Sequence, residues 1–328
     1  MDAFSYARAS DPDNAIQLVQ RPGSYFIGGG TNLLDLAKAG VVHPLHIVDL
    51  NHIGLAGIDE LPGGGLRVGA MARNSDVAAH PLVRERYPLL SQALLAGASP
   101  QLRNMATVGG NLLQRTRCPY FTDPGFEHCN KRAPASGCAA REGYSRVHAV
   151  LGASEACIAV NPSDMSVALA ALDATVVTAG RRANRRIPIG DFHRLPGDTP
   201  QRDTALEPGE LITAVELPPP RFQKHAIYLK VRDRASYAFA LVSVAAALEL
   251  DGRQVRATSI ALGGVAHKPW RVPAAESTLI GAPLDEDRNA RVAAAIMAGA
   301  RPYKDNAFKV VLAQRAIVQA LRRAGDMS

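Results

Sequence analysis

The sequence lacks an apolar run long enough to span a bilayer, which takes about 18 or more consecutive residues. Its first residues, Met1, Asp2, Ala3 and Phe4, form neither the basic n-region nor the apolar h-region of a secretory signal. We therefore expect no membrane insertion and no signal peptide of the chain's own, and folding in the cytosol.

Aromatic residues and blocks of charge are also scarce. Phe, Trp and Tyr make up 5% of the 328 residues, with Trp270 as the single tryptophan. This disfavours the aromatic platforms on which single-stranded nucleic acid stacks. The formal net charge is +7, but lysine and arginine are spread along the chain without a long basic block. The spread indicates a solvated surface or a docking face, so we expect no nucleic-acid partner.

The chain has only four cysteines, Cys118, Cys129, Cys138 and Cys157, all within one window of 40 residues. In a reducing cytosol, clustered cysteines indicate metal or redox ligands before disulfides. The spacing C-x10-C-x8-C-x18-C matches neither the paired units of zinc fingers nor the compact runs of ferredoxins. From spacing alone, a structural zinc and a 4Fe–4S cluster fit about equally, ahead of two disulfides or four unliganded thiols.

The cysteines lie in a segment, about 115–151, that is rich in Pro, Gly, Arg and Cys and has no sustained apolar period. A loop of this length is uncommon inside a compact domain unless it carries function. Something other than a hydrophobic core must therefore hold the segment, and the cysteines supply the means.

Elsewhere the apolar pattern predicts regular structure. Ser163 is a candidate N-cap for a helix that ends at Leu172, and Asp251 with Gly252 predicts a hairpin turn. Strands are predicted over 24–27, 46–50, 66–70, 175–178, 211–217, 226–232, 241–250 and 255–262, and helices over 32–39, 75–79, 88–95, 164–172, 289–298 and 307–323.

A first glycine-rich loop links a predicted strand to a predicted helix. Gly28, Gly29 and Gly30 remove every Cβ from the turn, so backbone N–H groups can approach an anion closely. Thr31 and Asn32 add side-chain donors, and the helix that follows adds its positive end. The loop is a candidate pyrophosphate cradle, although it matches neither the G-x-G-x-x-G fingerprint nor a P-loop.

A second glycine-rich loop, Thr107-Val-Gly-Gly-Asn111, follows about 75 residues later. Two such loops can hold one extended ligand from two sides. A long dinucleotide such as FAD suits that arrangement.

The two loops together closely resemble the FAD-binding subunits of the xanthine dehydrogenase and carbon monoxide dehydrogenase family, the molybdenum hydroxylases. The resemblance covers nearly the whole chain. It also includes the following segments: Gln101-Leu-Arg-Asn104, Ser163-Asp164, Gly209-Glu-Leu-Ile212, Lys230 and Ala261-Leu-Gly-Gly264.

The resemblance implies roles for particular residues. Asp164 is expected near the ribose and adenine half of FAD, Ile212 against the flavin or adenine ring, and Lys230 near the isoalloxazine, where a cation stabilises the anionic reduced flavin. The remaining implied FAD-binding residues belong to the two loops: Phe26, Ile27, Gly28, Gly29, Gly30, Thr31, Asn32, Leu33, Thr107, Gly109, Gly110 and Asn111.

Within the family, the cysteine segment resembles that of the iron–sulfur flavoprotein subunits of periplasmic aldehyde oxidoreductases. The matching residues are Arg117-Cys-Pro-Tyr-Phe121, Cys129-Asn-Lys-Arg132, Ser136-Gly-Cys138 and Cys157-Ile-Ala159. The resemblance implies that all four cysteines are thiolate ligands of one 4Fe–4S cluster. A segment that folds by ligation should be disordered without its metal.

The resemblance also implies partners. A molybdopterin-binding catalytic subunit and a 2Fe–2S subunit would complete a heterotrimer, which passes electrons from substrate through this chain to an external acceptor. No substrate-oxidising catalytic residue is then expected here. A signal-bearing partner would carry the folded chain to the periplasm, and without one it would stay cytoplasmic.

Two alternatives from other classes stay open. A stand-alone FAD oxidase of the vanillyl-alcohol-oxidase class would bind substrate over its own flavin, although the C-terminal part, about 105 residues, is small for such a pocket. A zinc scaffold without redox function would be colourless. His43, His46 and His52 flank a predicted strand and are expected to be ordinary residues.

The expected fold class is α+β. Residues 1–52 and 53–220 are expected to form a two-subdomain FAD module of the vanillyl-alcohol-oxidase type, with the 4Fe–4S insertion at about 115–160. Residues 221–328 are expected to form a three-stranded antiparallel sheet with helices, as in the C-terminal domain of carbon monoxide dehydrogenase flavoproteins.

Overall fold

The computed structural model describes residues 1–327, which form three sheets with helices packed around them. The first sheet is parallel, with the order β1-β3-β2. Its strands are joined through two helices, α1 and α2, which is the strand–helix–strand pattern predicted for the N-terminal 50 residues. The elements are β1 (Ser5–Arg8), α1 (Pro12–Leu18), β2 (Ser24–Ile27), α2 (Leu33–Lys38) and β3 (His46–Asp49).

The second sheet has five antiparallel strands in the order β4-β5-β8-β6-β7. Its central strand, β8, is buried along its whole length. The strands are β4 (Ile58–Glu60), β5 (Leu66–Gly69), β6 (Thr175–Ala179), β7 (Arg185–Pro188) and β8 (Leu211–Leu217).

Eight short helices lie between or beside these strands. Helix α9 is buried on every side, and Ser163 caps it as predicted, because the Ser163 side chain accepts the N–H of Ser166. The helices are α3 (Asn74–Ala79), α4 (Pro81–Arg86), α5 (Pro88–Ala96), α6 (Pro100–Arg103), α7 (Val108–Leu112), α8 (Pro119–Thr122), α9 (Asp164–Ala171) and α10 (Ile189–Phe192).

The third sheet is antiparallel, in the order β12-β11-β10-β9. It contains the three predicted strands and a fourth, the two-residue edge strand β12, which is too short to give a sequence period. The predicted hairpin at Gly252 joins β10 to β11, with a positive φ of 58°. The strands are β9 (Ala226–Val231), β10 (Val242–Asp251), β11 (Gln254–Gly263) and β12 (Trp270–Arg271).

Both faces of the third sheet are covered. On β10, Val244 and Ala246 pack with the C-terminal helices, while the alternate residues Ala245 and Ala247 join the core of the central part. Strand residues alternate between faces, so this pattern ties the C-terminal part firmly to the rest. The covering elements are α11 (Pro273–Glu276), a 3-10 turn (Ser277–Leu279), α12 (Glu286–Ile296) and α13 (Phe308–Gly325).

Among residues 1–327, no helix combines the length and the apolar character needed to cross a membrane.

Candidate functional site

The first glycine-rich loop leaves β2 and enters α2, with Asn32 at the N-cap position. Gly30 has a φ of +71°, which favours glycine. A Cβ on Gly29 would lie 1.8 Å from the carbonyl oxygen of Met105. The backbone that leads into the second loop therefore lies directly against Gly29, and no larger residue fits without a shift of the backbone.

The second loop differs from its predicted form. It is not an open turn but a short helix, α7, which contains Gly109 and Gly110. The Thr107 side chain caps this helix by accepting the N–H of Gly110 at 3.2 Å. A Cβ on Gly28 would lie 2.8 Å from Oγ1 of Thr107. The two loops are therefore in direct contact, as two sides of one cradle require.

A cleft of about 750 Å³ lies between the loops. It extends past the N-terminus of α9 to strand β9 and the residues that follow it. Of the residues predicted to bind FAD, eight line this cleft: Gly29, Gly30, Thr31, Asn32, Gly110, Asn111, Asp164 and Lys230.

The other predicted residues lie outside the cleft lining in the described part of the chain. Ile212 is 4% exposed on β8 and packs in the central core. Its predicted contact with a ring of the cofactor has no counterpart in this arrangement. The rest belong to the backbone and flanks of the two loops: Phe26, Ile27, Gly28, Leu33, Thr107 and Gly109.

Asn32 offers a free donor to the cleft. Its Oδ1 accepts the backbone N–H of Arg115 at 3.1 Å, but its buried Nδ2 has no hydrogen-bond partner within residues 1–327. A buried polar group without a partner costs about 1–3 kcal/mol. An acceptor oxygen on a ligand would remove that cost, so the loop fits a pyrophosphate in both shape and donor chemistry.

Asp164 and Lys230 form a buried ion pair at the wall of the cleft. Lys230 Nζ lies 2.8 Å from Asp164 Oδ2 and also donates to the Ala96 carbonyl at 3.1 Å. The Tyr228 hydroxyl donates to Asp164 Oδ1 at 2.7 Å, and burial raises the pKa of Tyr228 well above its usual range. Sequence reasoning missed this third member, since a tyrosine on a strand has an ordinary place in a core.

This contact changes the roles expected for the pair. Asp164 was expected at the ribose and adenine half of FAD, and Lys230 at the isoalloxazine. The two side chains lie 2.8 Å apart, which favours one shared location along an extended ligand, while their separate placements on FAD stay predictions. The Lys230 charge is also balanced by Asp164 already, which weakens its action on a neighbouring anion.

The four cysteines come together as the sequence predicts. All four are free thiols and line one small cavity between turns of the otherwise irregular 115–160 segment. Cys129 and Cys138 face each other across an isolated antiparallel bridge. Cys118, Cys129 and Cys157 are buried, and Cys138 is half-buried.

The space between the thiols is small. It is about 10 Å³, roughly the size of one water, so a cubane would require the cysteine side chains to turn outward. In residues 1–327, no three His, Cys, Asp or Glu side chains are already arranged around a single ion position. A cubane binds each of its four thiolates through a different iron, and its ligands need not converge on one point. The number and type of donors fit the cluster.

The thiols differ in their electrostatic surroundings. Burial raises the pKa of the Cys118 thiol to about 12. A hydrogen bond from Cys157 lowers the pKa of Cys138 to about 6, and the same bond raises the pKa of Cys157. Lys131, 3% exposed, lies beside this pair and favours the Cys157 thiolate. Its Nζ is held by Asp203 at 2.5 Å and by the Pro200 carbonyl at 2.6 Å.

One residue at this cluster escaped the sequence analysis. His148 Nε2 lies 3.1 Å from Cys118 Sγ, and both side chains are buried. Burial, more than the nearby Lys309, lowers the pKa of His148 to about 4. The surrounding sequence has no ligand spacing, and only the fold brings positions 118 and 148 together.

The cysteine cavity and the cleft adjoin through a third space of about 240 Å³. Cys118 and His148 line this space on one side. Asp164, Arg117 and Phe239 line both this space and the main cleft. A ligand in the cleft would therefore lie next to the cysteine cluster, and Cys118 is the cysteine that lines both the cluster cavity and the connecting space.

Comparison with known proteins identifies the family of both halves of the chain. Residues 2–220 match the family model described as the FAD binding domain in molybdopterin dehydrogenase, and residues 227–324 match the CO dehydrogenase flavoprotein C-terminal domain. The chain is 55% identical over 327 residues to the aldehyde oxidoreductase FAD-binding subunit PaoB of Escherichia coli (strain K12), covering 99% of each chain.

More distant proteins show the same likeness. The glyceraldehyde dehydrogenase medium chain of Sulfolobus acidocaldarius is 28% identical over 304 residues, covering 92% of this chain and 90% of the relative. The solved structure of quinoline 2-oxidoreductase from Pseudomonas putida 86 superposes with a TM-score of 0.76 at 26% identity, covering 99% of this chain and 97% of the other.

Proposed function

Because this chain belongs to the FAD-binding subunits of the molybdenum hydroxylase family, and is thus a subunit of an oxidoreductase, we propose that it is the FAD- and 4Fe–4S-binding electron-transfer subunit of a molybdenum-dependent aldehyde oxidoreductase. It relays electrons from molybdenum and 2Fe–2S subunits to an external acceptor.

The single observation that carries the relay is the proximity of two sites. Four thiols line one cavity, and that cavity adjoins the glycine-rich cleft through the space lined by Cys118 and His148. Bound FAD accepts electrons singly or in pairs, and an iron–sulfur cluster carries one at a time. Two such groups side by side would convert single-electron steps into pairs.

In this scheme, the residues of the chain bind the cofactors and orient them. The glycine-rich loops hold the pyrophosphate with backbone N–H groups, and Asn32 Nδ2 supplies a further donor. The residues of the two loops, 26–33 and 107–111, form this cradle. Asp164, Lys230 and Tyr228 form one fixed polar group at a single part of the dinucleotide. Cys118, Cys129, Cys138 and Cys157 hold the cluster as thiolates.

Substrate oxidation takes place on a partner in this proposal. The relative that is 55% identical is named for an aldehyde oxidoreductase, which supports aldehydes as the substrate class. A molybdopterin-binding subunit and a 2Fe–2S subunit complete a heterotrimer. Export with a signal-bearing partner would place the complex in the periplasm, and otherwise it is cytoplasmic. The module boundaries stay those expected from the sequence: 1–52, 53–220 with the insertion at about 115–160, and 221–328.

Co-expression of the chain with its partner subunits tests the proposal. We expect the purified complex to contain one FAD and four irons on this chain, beyond the iron of the 2Fe–2S subunit, with flavin absorption near about 450 nm over a broad brown background. If the chain contains zinc in place of iron, the four thiols bind a structural ion and the cluster is ruled out. A colourless chain that lacks both FAD and iron would overturn the function.

A further inference from the structure

His148 is one of the most deeply buried side chains in the cysteine segment. It is 1% exposed. Its backbone N–H bonds the Ser145 carbonyl at 3.0 Å, and the next residue, Ala149, bonds the Ile158 carbonyl at 2.8 Å. These bonds fix the backbone on both sides of the imidazole, so the segment that carries the ring stays beside Cys118.

The C-terminal helix fixes His148 from a second direction. Lys309, at the start of α13, is fully buried and donates to the His148 carbonyl at 2.9 Å and to the Gly264 carbonyl at 2.5 Å. Asn306 donates to the His148 and Ala149 carbonyls at 3.3 and 3.2 Å. Two side chains from a different part of the chain thus hold one short segment against Cys118.

The chemistry of the His148–Cys118 contact decides which group donates the hydrogen bond. A metal-bound thiolate has no hydrogen and can only accept, so Nε2 must carry the proton in the loaded protein. Nδ1 is then unprotonated, and it is buried without a protein partner within residues 1–327. The imidazole is therefore a donor aimed at a single sulfur, on the side of the cysteine cavity that adjoins the connecting space.

We propose that His148 is a positioning residue that donates its Nε2 hydrogen to the Cys118 thiolate and raises the reduction potential of the iron–sulfur cluster. The inference rests on the proposed function, since it requires the cluster. The partial positive charge of an N–H group favours the more negative, reduced state of the cluster, and hydrogen bonds to sulfur are among the features that set such potentials. Among the four cysteines, the hydrogen bond is to Cys118, which lines the space next to the cleft.

The test compares two substitutions in the complete complex. His148→Met removes the donor and keeps an unbranched, space-filling side chain, whereas His148→Gln keeps an N–H donor. By redox titration with EPR detection, His148→Met should lower the ratio of reduced to oxidised cluster at a fixed potential about tenfold, or about 59 mV for one electron. His148→Gln should restore most of that ratio, and the flavin potential should stay constant in both.

A matched control is His52, an exposed histidine that lines neither the cysteine cavity nor the connecting space. His52→Met should leave the cluster potential unchanged. Equal potentials in His148→Met and in the unaltered complex would overturn the inference. So would a shift in His148→Gln as large as that in His148→Met.

A second measurement uses the unaltered protein, in case both His148 variants lose iron. Pulsed EPR of the reduced complex with ¹⁵N-labelled histidine should show one coupled imidazole nitrogen and one exchangeable proton. If this chain carries its four irons and neither coupling is found, His148 does not bond the cluster, while the proposed function stands. If the unaltered complex contains no iron beyond that of the 2Fe–2S subunit, the proposed function itself fails.

Discussion

Single atoms decide how closely the two glycine-rich loops approach each other. The Gly-Gly-Gly run was recognisable in the sequence as a cradle, but its closest neighbour was not, because Met105 is 76 positions away along the chain. The contact that makes Gly29 obligatory is a tertiary one, between backbone and backbone. Residue types thus predicted the chemistry of the cleft, and only the fold shows which glycine has no room for a methyl group.

Gly29→Ala should therefore weaken FAD binding. The added Cβ would lie 1.8 Å from the Met105 carbonyl oxygen, and the forced backbone shift costs about 1–3 kcal/mol, which corresponds to a loss of about fivefold to a hundredfold in affinity. Fluorescence titration of the FAD-free chain with FAD measures the change. Gly190→Ala is the matched control, because a methyl group added there would have no neighbouring atom within 4 Å. Equal affinity in both variants would show that the contact does not shape the cradle.

The cysteine ligands make a second prediction at this scale. Cys129→Ser should lose most of the cluster iron, because a serine hydroxyl is a poor substitute for a thiolate ligand. The FAD content should stay near one per chain, since Cys129 does not line the cleft in the described structure. Iron and flavin assays on the same purified sample check both statements. Retention of four irons would remove Cys129 from the ligand set.

Buried Lys309 predicts a pH dependence of stability. Burial lowers the pKa of Lys309 from 10.5 to about 7. Between these values the unfolded chain binds more protons than the folded chain, so the contribution of Lys309 to stability rises with pH and is lost as the pH falls through 7. The slope is on the order of 1 kcal/mol per pH unit.

Urea unfolding at pH 7 and pH 9 measures this effect as the difference in unfolding free energy between the unaltered chain and Lys309→Met. At pH 9 the unfolding free energy of the unaltered chain, relative to that of the variant, should be higher than at pH 7. Lys304→Met, at an exposed position five residues earlier, should show no such change. A difference that is constant from pH 7 to 9 would mean that Lys309 stays charged in the folded chain.

At the scale of secondary-structure elements, the spacing of apolar residues predicted the strands that pack in the core. Strand β8 and the β10–β11 hairpin were expected from runs of apolar residues and from Asp251-Gly252, and the structure confirms them. Helix α7 was missed because Gly109 and Gly110 are poor helix formers. The Thr107 cap and the burial of Val108 and Leu112 override that preference.

The cysteine segment has little regular secondary structure, and a small apolar cluster that includes Phe121 and Ile158 packs with its cysteines. Between α8 and α9, the described chain has only turns, bends and isolated bridges. Its sequence predicted irregularity and a role for the cysteines, but not the pairing of Cys118 with His148. That pairing depends on Lys309 and Asn306, which follow about 160 positions later.

Removal of the metal should therefore loosen this element before any other. After anaerobic treatment with a chelator and an oxidant, limited proteolysis should cut first within about 119–156, because ligation supplies much of the folding free energy there. Mass spectrometry locates the cuts, and the untreated complex is the control. First cuts in the C-terminal helices instead would show that the segment holds its own structure without metal.

At the scale of the whole molecule, the C-terminal part packs against the rest of the chain and also lines the cleft, through residues such as Lys230 and Phe239. Both faces of its sheet are covered, one by α12 and α13 and the other by the central core. Its first helical turn after residue 307 reaches back to hold the His148 segment through Lys309.

The relay and the stand-alone oxidase differ in which chain oxidises the aldehyde. An aldehyde added anaerobically to the FAD-loaded chain alone should leave the flavin absorption near about 450 nm unchanged, because the relay places aldehyde oxidation on the molybdenum subunit. The same aldehyde added to the complete complex should bleach the flavin. Dithionite, which needs no substrate site, should bleach both and so shows that the isolated flavin is reducible. Bleaching of the isolated chain by aldehyde at the rate of the complex would instead place substrate oxidation in the cleft of this chain and make it an oxidase in its own right.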